Sequence, residues 1–269
     1  LEDFLKLKKC SNYFINFHII PMVAAIWSMP PKLAGKMPMD LFLNFFKNHG
    51  LFKIKNRPQW YTVTGRSKVY VNKVLKTISG EHFKNHEIKS VERNKDSVRI
   101  FYGALNKYLD YDKIVFATHA DDTLKLIQNP TQAESNILGS FKYKSNTAYL
   151  HNDIRLMPNK KNAWSSWNSI LDKKDISKNC VTYWLNKLQN LNTKSNYFLT
   201  LNPIFEIDGS KIIKKIEFSH PFYDLQSLKA QKNLKELQGQ KNSWFCGSYF
   251  GYGFHEDGLK SALNIVNQI

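Results

Sequence analysis

The C-terminal stretch from Trp244 to Val266 constrains the fold of this chain more than any other part of the sequence. A short apolar run ends at Cys246, closely spaced glycines follow, and apolar residues then recur at helical spacing up to Val266. This pattern predicts a strand, a glycine turn and a helix start. A helix start has unpaired N–H groups and a partial positive charge, so it suits an electron-rich ring edge or a phosphate. A glycine-rich surface loop without a ligand stays open as the alternative.

Length and composition limit the classes of protein to which this chain can belong. With 269 residues, 42% of them hydrophobic, the chain can bury a substantial core. No apolar run reaches about 18 residues, so no transmembrane helix is predicted. The cysteines, Cys10, Cys180 and Cys246, are far apart and form no CxxC pair. This spacing fits structural thiols in a reducing compartment, and we predict no metal site.

The charge balance is strongly basic, with 39 Lys and Arg residues against 22 acidic residues and a net charge of +17. Such a surface favours anionic partners such as phospholipid, nucleic acid or acidic protein. The basic residues are scattered, however, which is also typical of a lysine-rich proteome. They are not interleaved with aromatic residues as in single-strand binding, so we do not expect nucleic acid as a partner.

The segment Gly247–Ser261, GSYFGYGFHEDGLKS, resembles the C-terminal flavin-contacting segment of the FAD-dependent amine oxidase superfamily. More narrowly, it is similar to a bacterial branch of NAD/FAD-binding flavoproteins found alongside cyclopropane fatty acid synthases. The resemblance extends over essentially the whole chain. Further matching segments occur in the same order: Pro21–Ser28, Asn48–Gly50, Arg57–Val63, Ala117–Asp122, Leu150–Asp153, Trp164–Asn168, Val181–Asn186 and His220–Pro221.

One element of such flavoproteins is missing from this sequence. They begin with a strand, a G-x-G-x-x-G turn and a helix that hold the FAD pyrophosphate. The G-x-G of this chain, Gly251–Gly253, lies near its C-terminus. We therefore expect an α/β fold with α+β character in the substrate part. It would be the C-terminal portion of an amine-oxidase-like two-domain FAD fold, lacking the N-terminal Rossmann unit and carrying an antiparallel substrate-domain sheet.

Changes in composition predict four segments that alternate between two domains. With the resemblance, residues 1–56 form a helical part of the substrate domain and residues 57–130 part of the FAD-binding domain. Residues 131–240 form the substrate-domain sheet, and residues 241–269 form the C-terminal FAD-binding segment.

Periodicity predicts the elements within these segments. A helix covers Val69–Ile78, short strands form a meander between Ile88 and Ala117, and a helix covers Gln226–Gln240. Residues with high β-propensity predict further strands in the substrate part: Phe141–Leu150, Asn162–Trp167, Val181–Leu185, Tyr197–Leu201 and Ile212–Phe218.

The cofactor-binding residues follow from the resemblance alone. It implies a glycine turn near the flavin at Gly65, although Arg66 stands where the family has a second glycine. It also implies that the backbone at Ile88 contacts the adenine. The implied residues are Gly65, Ser67, Ile88 and Thr118 along the cofactor, and Gly247, Tyr249, Gly253, Phe254, His255, Glu256 and Gly258 at the isoalloxazine end.

His255 and His119 are the candidate catalytic residues, because a flavin reaction at carbon needs a proton donor or acceptor near the ring. A structural role is the alternative for each histidine. Glu256 and Asp257 have a competing role as helix N-terminal caps.

The resemblance implies a FAD-dependent oxidoreductase that transfers hydride between flavin and an apolar, lipid-linked or other small-molecule substrate. Four aromatic residues could line an acyl-chain cavity or belong to the core: Trp164, Trp167, Tyr183 and Trp184. The alternative function is a non-catalytic partner or scaffold of a lipid methyltransferase at an anionic membrane. We expect a cytoplasmic protein with possible peripheral membrane contact, and weak or absent flavin binding if the chain is a fragment.

Overall fold

The computed structural model describes residues 1–104, 107–172, 175 and 178–269. Within these residues no helix has the length and apolar character needed to cross a bilayer. The α-helices are α1 (Glu2–Leu7), α2 (Asn12–Phe14), α3 (Ile20–Ile26), α4 (Pro31–Ala34), α5 (Met39–Asn48), α6 (Ser67–Thr77), α7 (Ala120–Leu126), α8 (Gln132–Leu138), α9 (Leu185–Leu188), α10 (Leu225–Asn233) and α11 (His255–Val266).

The helix predicted at Gln226–Gln240 is shorter in the structure, since α10 ends at Asn233 and a 3₁₀ turn, Leu234–Leu237, follows.

The strands agree with the sequence pattern in most places. The strands are β1 (Ile88–Arg93), β2 (Val98–Tyr102), β3 (Lys107–Tyr111), β4 (Ile114–Phe116), β5 (Lys142–His151), β6 (Trp167–Leu171), β7 (Asn179–Trp184), β8 (Phe198–Leu201), β9 (Ile212–Phe222) and β10 (Ser243–Phe245).

The predicted strand at Asn162–Trp167 is wrong. Lys161–Ala163 forms a 3₁₀ turn, and β6 begins only at Trp167. The indole N–H of Trp164 donates to the Pro158 carbonyl at 2.7 Å, and the Ser165 N–H donates to Asn168 Oδ1 at 2.9 Å. The Ser165 N–H is therefore bonded to a nearby side chain, whereas in a strand it could have paired across the sheet.

The chain divides into two compact units. The first comprises Leu1–Gly80 and Lys144–His220, and the second comprises Glu81–Tyr143 and Pro221–Ile269. The sequence predicts divisions at 56, 130 and 240, and the two compact units divide after residues 80, 143 and 220. The first division lies after α6, because the hydrogen-bonded ladder of the second unit starts only at β1.

The first unit buries an aromatic cluster among its N-terminal helices. Phe42, Phe45 and Phe46, which share one face of α5, are each 3% exposed. The Trp27 ring packs on Phe45 with 4.7 Å between centroids. Pro38 precedes α5 with φ −59°, a value that suits the entry to a helix.

The first unit also contains most of a five-stranded sheet of order β6-β7-β8-β5-β9. The pairs β6–β7, β7–β8 and β8–β5 are antiparallel. Val181 lies opposite Leu201, which in turn lies opposite Ala148, and all three are buried. Antiparallel pairing in the substrate part was predicted from its β-forming runs.

Buried polar side chains cross this sheet. The Asp153 N–H donates to His151 Nδ1 at 3.1 Å, so the neutral ring holds its proton on Nε2. Nε2 donates to the Thr200 hydroxyl at 2.7 Å, which lies 2.8 Å from the Thr182 hydroxyl. His151, Thr182 and Thr200 are fully buried. Burial lowers the pKa of His151, although the nearby Asp153 opposes this effect.

We predict that acid destabilises the chain through His151. The unfolded histidine titrates near pH 6.5 and the folded one at lower pH, so the unfolded state binds more protons between these values. The free energy of unfolding should therefore fall as the pH drops below about 6.5. Urea unfolding between pH 8 and pH 5 measures this slope, where both pH limits lie about 1.5 units from the reference pKa.

His151→Gln should reduce that slope, whereas the exposed His82→Gln should leave it unchanged. Equal slopes for His151→Gln and the unsubstituted chain would contradict the prediction.

The second unit contains two small sheets. β1, β2 and β3 form the antiparallel meander that the sequence predicts, while β4 leaves it and pairs in parallel with β10. The hydrophobic core of this unit includes Val98, Leu138 and Phe245, each no more than 1% exposed. β4 thus belongs to the same sheet as the C-terminal strand, which the sequence pattern alone did not indicate.

A buried ion pair joins the meander to α8. The Arg93 guanidinium contacts both carboxylate oxygens of Glu134, and the two side chains are 2% and 1% exposed. Burial alone would raise the pKa of Glu134, but hydrogen bonds from Arg93 and Thr131 lower it overall. Removing one partner of such a pair typically costs about 3–5 kcal/mol, so the pair fixes α8 against β1.

Candidate functional site

The carboxyl ends of β4 and β10 lie side by side. The strands are parallel, with Phe116 opposite Phe245, and the Cys246 N–H donates to the Phe116 carbonyl at 3.0 Å. The chain then leaves β4 through Thr118 and leaves β10 through Gly247. The Thr118 carbonyl is 3.8 Å from the position that a Cβ on Gly247 would occupy. This sheet edge therefore brings together two residues that the resemblance places at the cofactor.

The glycines of the turn are required by its internal packing. Gly247 has φ +156°, and a Cβ there would stand 2.7 Å from the Tyr249 ring. Gly253 has φ +98°, and a Cβ there would stand 2.8 Å from the Tyr223 hydroxyl. A Cβ on Gly251 would overlap the Asp257 carboxylate. Each position thus excludes a side chain.

Helix α11 starts directly after this turn and is tied to it. The Gly247 N–H donates to Ser261 Oγ at 2.9 Å, and this hydroxyl donates to the Gly258 carbonyl at 2.7 Å. The Phe254 N–H donates to Asp257 Oδ2 at 3.0 Å. Asp257 therefore caps the helix, as the sequence allowed. The N–H groups of Asp257 and Gly258 donate to the Phe254 carbonyl at 3.1 and 3.2 Å.

Two glutamines of the preceding segment hold the turn from the other side, and the sequence analysis missed both. Gln231 in α10 donates to the carbonyls of Tyr249 at 2.9 Å and Gly251 at 2.7 Å. Gln238 accepts from the Phe245 N–H at 2.9 Å and donates to the Phe245 carbonyl at 3.0 Å. No local pattern marks these residues, since they act across 7 to 20 positions of sequence.

His119 lies at the β4 side of this edge. Its ring stacks on Tyr143 with 4.4 Å between centroids, and its Nδ1 is 3.9 Å from the Asp122 carboxylate. The Tyr143 hydroxyl accepts from the Ala120 N–H at 3.0 Å. Burial raises the pKa of Tyr143 to about 12, so its hydroxyl stays protonated at neutral pH. The stacking fixes the plane of the imidazole ring.

Potential metal ligands meet beside His119, where Asp121 and Asp122 contribute carboxylates. Lys125 lies 3.4 Å from the Asp121 carboxylate and 3.0 Å from that of Asp122. The cluster is partly exposed and Lys125 offsets part of its negative charge, so it gives no reason to assign a metal site.

The predicted residues at the start of α11 differ in burial. His255 and Glu256 are exposed, and Glu256 pairs with Lys260 at 3.4 Å. Phe254 and Gly258 are half-buried. Tyr249 is buried, and its ring packs edge-on against Phe141 in the core.

The other predicted cofactor residues belong to other elements of the chain. Ile88 is exposed at the start of β1 in the second unit. Gly65 and Ser67 belong to the first unit, at the start of α6. Gly65 has φ +78°, and Arg66 has φ +72° and ψ −174°, a conformation that is essentially restricted to glycine. Arg66 therefore retains the backbone geometry of the glycine that the resemblance expects.

Comparisons with known proteins identify the fold. No family model and no curated protein matches this chain. A CLA-producing fatty acid isomerase from P. acnes is similar, with TM-score 0.65 and 12% identity over 100% of this chain and 66% of the isomerase. Cyclohexylamine oxidase from Brevibacterium oxydans has TM-score 0.61 and 11% identity over 99% and 67%. A redesigned putrescine oxidase has TM-score 0.58 and 9% identity over 99% and 67%.

These structural neighbours are enzymes of the FAD-dependent amine oxidase family. The predicted fold class is therefore confirmed: a mixed α/β architecture with antiparallel sheets, which matches the C-terminal part of an amine-oxidase-like FAD fold. The chain spans less than two thirds of the length of the isomerase. Identity this low is evidence for the fold alone.

We predict that Gly253→Ala destabilises the second unit by about 1–3 kcal/mol, because the residue has positive φ and the new Cβ meets the Tyr223 hydroxyl. Adding Tyr223→Phe removes the opposing oxygen and should restore part of the loss. Urea unfolding of both single variants and the double variant measures this coupling. Gly258→Ala is the control, since its nearest neighbouring atom is 3.8 Å away. If the effects of Gly253→Ala and Tyr223→Phe on the free energy of unfolding are additive, the proposed clash between the new Cβ and the Tyr223 hydroxyl is contradicted.

Proposed function

We propose that this chain is part of a FAD-dependent oxidoreductase of the amine-oxidase type. The observation that supports the proposal is the junction of the β4 and β10 strand ends with the start of α11, held by Ser261. Ligands in open α/β folds bind outside the carboxyl ends of strands, and a helix start offers N–H donors to an electron-rich edge. The fold of the structural neighbours agrees with this function.

The chain's own residues fit the isoalloxazine end of the cofactor. Gly247 and Gly253 keep side chains out of the turn next to the start of α11, while their own N–H groups donate to Ser261 and to the Ser248 carbonyl. Thr118 contributes the facing strand end. His255 at the helix start and His119 on the Tyr143 ring are the groups that can hold or move a proton beside the substrate. When bound, FAD supplies hydride acceptance and donation at its ring.

The proposal also specifies the substrate class, the flavoprotein branch and the cellular compartment. We propose an apolar, lipid-linked substrate, membership of the flavoprotein branch associated with cyclopropane fatty acid synthases, and action in the cytoplasm. The fold neighbour named for fatty acid isomerisation is consistent with a lipid substrate.

We expect the chain to bind flavin weakly but saturably, with FAD and riboflavin of similar affinity because its sequence contains no G-x-G-x-x-G phosphate cradle. His255→Glu should weaken both about tenfold, since a carboxylate at the helix start repels an electron-rich ring edge while stabilising the helix. Flavin fluorescence titration measures the affinity.

The matched control is His82→Glu, which makes the same change at an exposed position of the second unit. Absence of saturable flavin binding, or equal affinity in His255→Glu, would contradict the proposed site.

A second candidate function is supported by a specific surface of the first unit. Residues 41–80 contain eight Lys and Arg residues and no acidic residue. Within them α6 has no buried side chain, and Val71 and Val74 are 43% and 55% exposed. Exposed apolar residues among lysines suit an anionic membrane surface. A membrane-docked scaffold for a lipid methyltransferase would use this surface without redox chemistry.

We predict that the chain co-sediments with phosphatidylserine vesicles and that Lys73→Glu/Lys76→Glu reduces its affinity about tenfold or more. The control Lys229→Glu/Lys232→Glu makes the same charge change on the exposed face of α10. Equal losses in both double variants would indicate net charge alone. Vesicle binding without flavin binding would favour the scaffold function.

A further inference from the structure

The parallel pair of β4 and β10 in the second unit has two outer edges that differ. In a parallel ladder, alternate residues of a strand turn their N–H and C=O groups to opposite sides. Phe116 faces β10, since its carbonyl accepts from the Cys246 N–H at 3.0 Å. The backbone groups of Val115 therefore point away from β10, and those of Phe245 point away from β4.

Gln238 closes the edge at β10. Its side-chain amide pairs with the N–H and the carbonyl of Phe245 at 2.9 and 3.0 Å, as a neighbouring strand would. The Gly239 N–H donates to the Ser243 carbonyl at 2.9 Å on the same strand. No strand of the described residues pairs with the opposite edge, where Val115 is 41% exposed. The open edge of this sheet thus belongs to β4.

Helix α11 packs on this sheet with one face and exposes a second apolar face. Ile265 forms a buried cluster with Trp244 and Cys246. Val115 lies opposite Trp244, so it points to the side of the sheet that α11 covers. Three apolar residues at helical spacing are 56%, 59% and 62% exposed on the second face: Leu259, Leu263 and Val266. A helix that is apolar on two faces normally packs between two layers.

The sheet and the helix therefore lack the same kind of neighbour. Parallel sheets occur almost only with helices over both faces, and an isolated two-stranded sheet is marginally stable. What the described residues do not supply is a strand beside β4 and an apolar helix against α11. One βαβ unit contains both elements, since its crossover helix packs on the sheet that its strands extend.

Three observations favour such a unit over a second copy of this chain. Two copies related by a twofold axis would pair β4 antiparallel to its own copy, whereas the existing ladder is parallel. The net charge of +17 opposes the association of two copies. This chain covers only 66% of the fatty acid isomerase and 67% of cyclohexylamine oxidase, so both neighbours contain further structure outside the match.

We propose that the open edge of β4 and the exposed apolar face of α11 dock a βαβ polypeptide unit. A strand of the unit adds parallel to β4 at Val115, and its helix covers Leu259, Leu263 and Val266. Strand addition takes much of its affinity from main-chain hydrogen bonds, so a unit of different sequence can bind. Docking involves no flavin and goes beyond the proposed redox function.

The test is co-expression of this chain with the part of the P. acnes isomerase that it does not match, followed by affinity purification of that tagged part. We expect the two to co-purify. Val115→Pro should abolish co-purification, because it removes the outward N–H and leaves the bonds between β4 and β10 in place. Val115→Thr is the matched control, since it keeps the N–H and should co-purify like the unsubstituted chain.

Leu263→Lys tests the helix face. It should reduce the co-purified amount about tenfold or more, because docking would bury an unpaired charge. The control Leu225→Lys makes the same change at a residue of α10 that is 67% exposed, and it should have no effect. Urea unfolding of each variant alone shows whether it folds like the unsubstituted chain.

Absence of co-purification with the unsubstituted chain, or equal co-purification of Val115→Pro and Val115→Thr, would overturn the proposal. Analytical ultracentrifugation of the chain alone examines the other occupant. A dimer that Val115→Pro dissociates would assign the surface to a second copy and would also overturn the proposal. None of these readouts measures flavin, so they are independent of the flavin titration.

Discussion

The hydroxyl of Ser261 joins the last strand of the chain to its last helix. It accepts from the Gly247 N–H and donates to the Gly258 carbonyl, and the residue is 2% exposed. Loss of the hydroxyl would leave a buried N–H unpaired, at a cost of about 1–3 kcal/mol. Because β10 is paired with β4, this one group also sets the start of α11 relative to Thr118. The geometry of the candidate site follows from this arrangement.

The glycines of the turn have a different role from the one that their pattern first indicated. Close approach of a ligand is one reason for glycine, but here Gly251 and Gly253 are required by Asp257 and by the Tyr223 hydroxyl. The turn would need both glycines in the absence of any cofactor. The case for a flavin therefore depends on the strand ends and the helix start, and on the fold that the structural neighbours share.

The sequence predicts those parts of the fold in which one local pattern decides the outcome. The periodicity around α6 and α11 and the strand runs of β1–β3 belong to this group. At Trp164 and Ser165, local side-chain hydrogen bonds outweigh strand propensity. The spacing of apolar residues does not predict such bonds. Arg66 adopts a backbone conformation that is rare for any residue except glycine. Gln231 donates a hydrogen bond to a turn about twenty residues away in the sequence. Such features depend on tertiary contacts, so only the structure reveals them.

The charged side chains at the start of α11 favour one of the two groups that a helix start can bind, a phosphate or an electron-rich ring edge. Glu256 and Asp257 both lie in its first turn, and Asp257 already accepts from the Phe254 N–H. Their negative charges offset the partial positive charge of the helix end, which weakens its attraction for a phosphate. Lys260 pairs with Glu256 but leaves Asp257 beside the turn. A neutral, electron-rich ring edge needs N–H donors without a strong positive field, so this helix start suits a ring better than a phosphate.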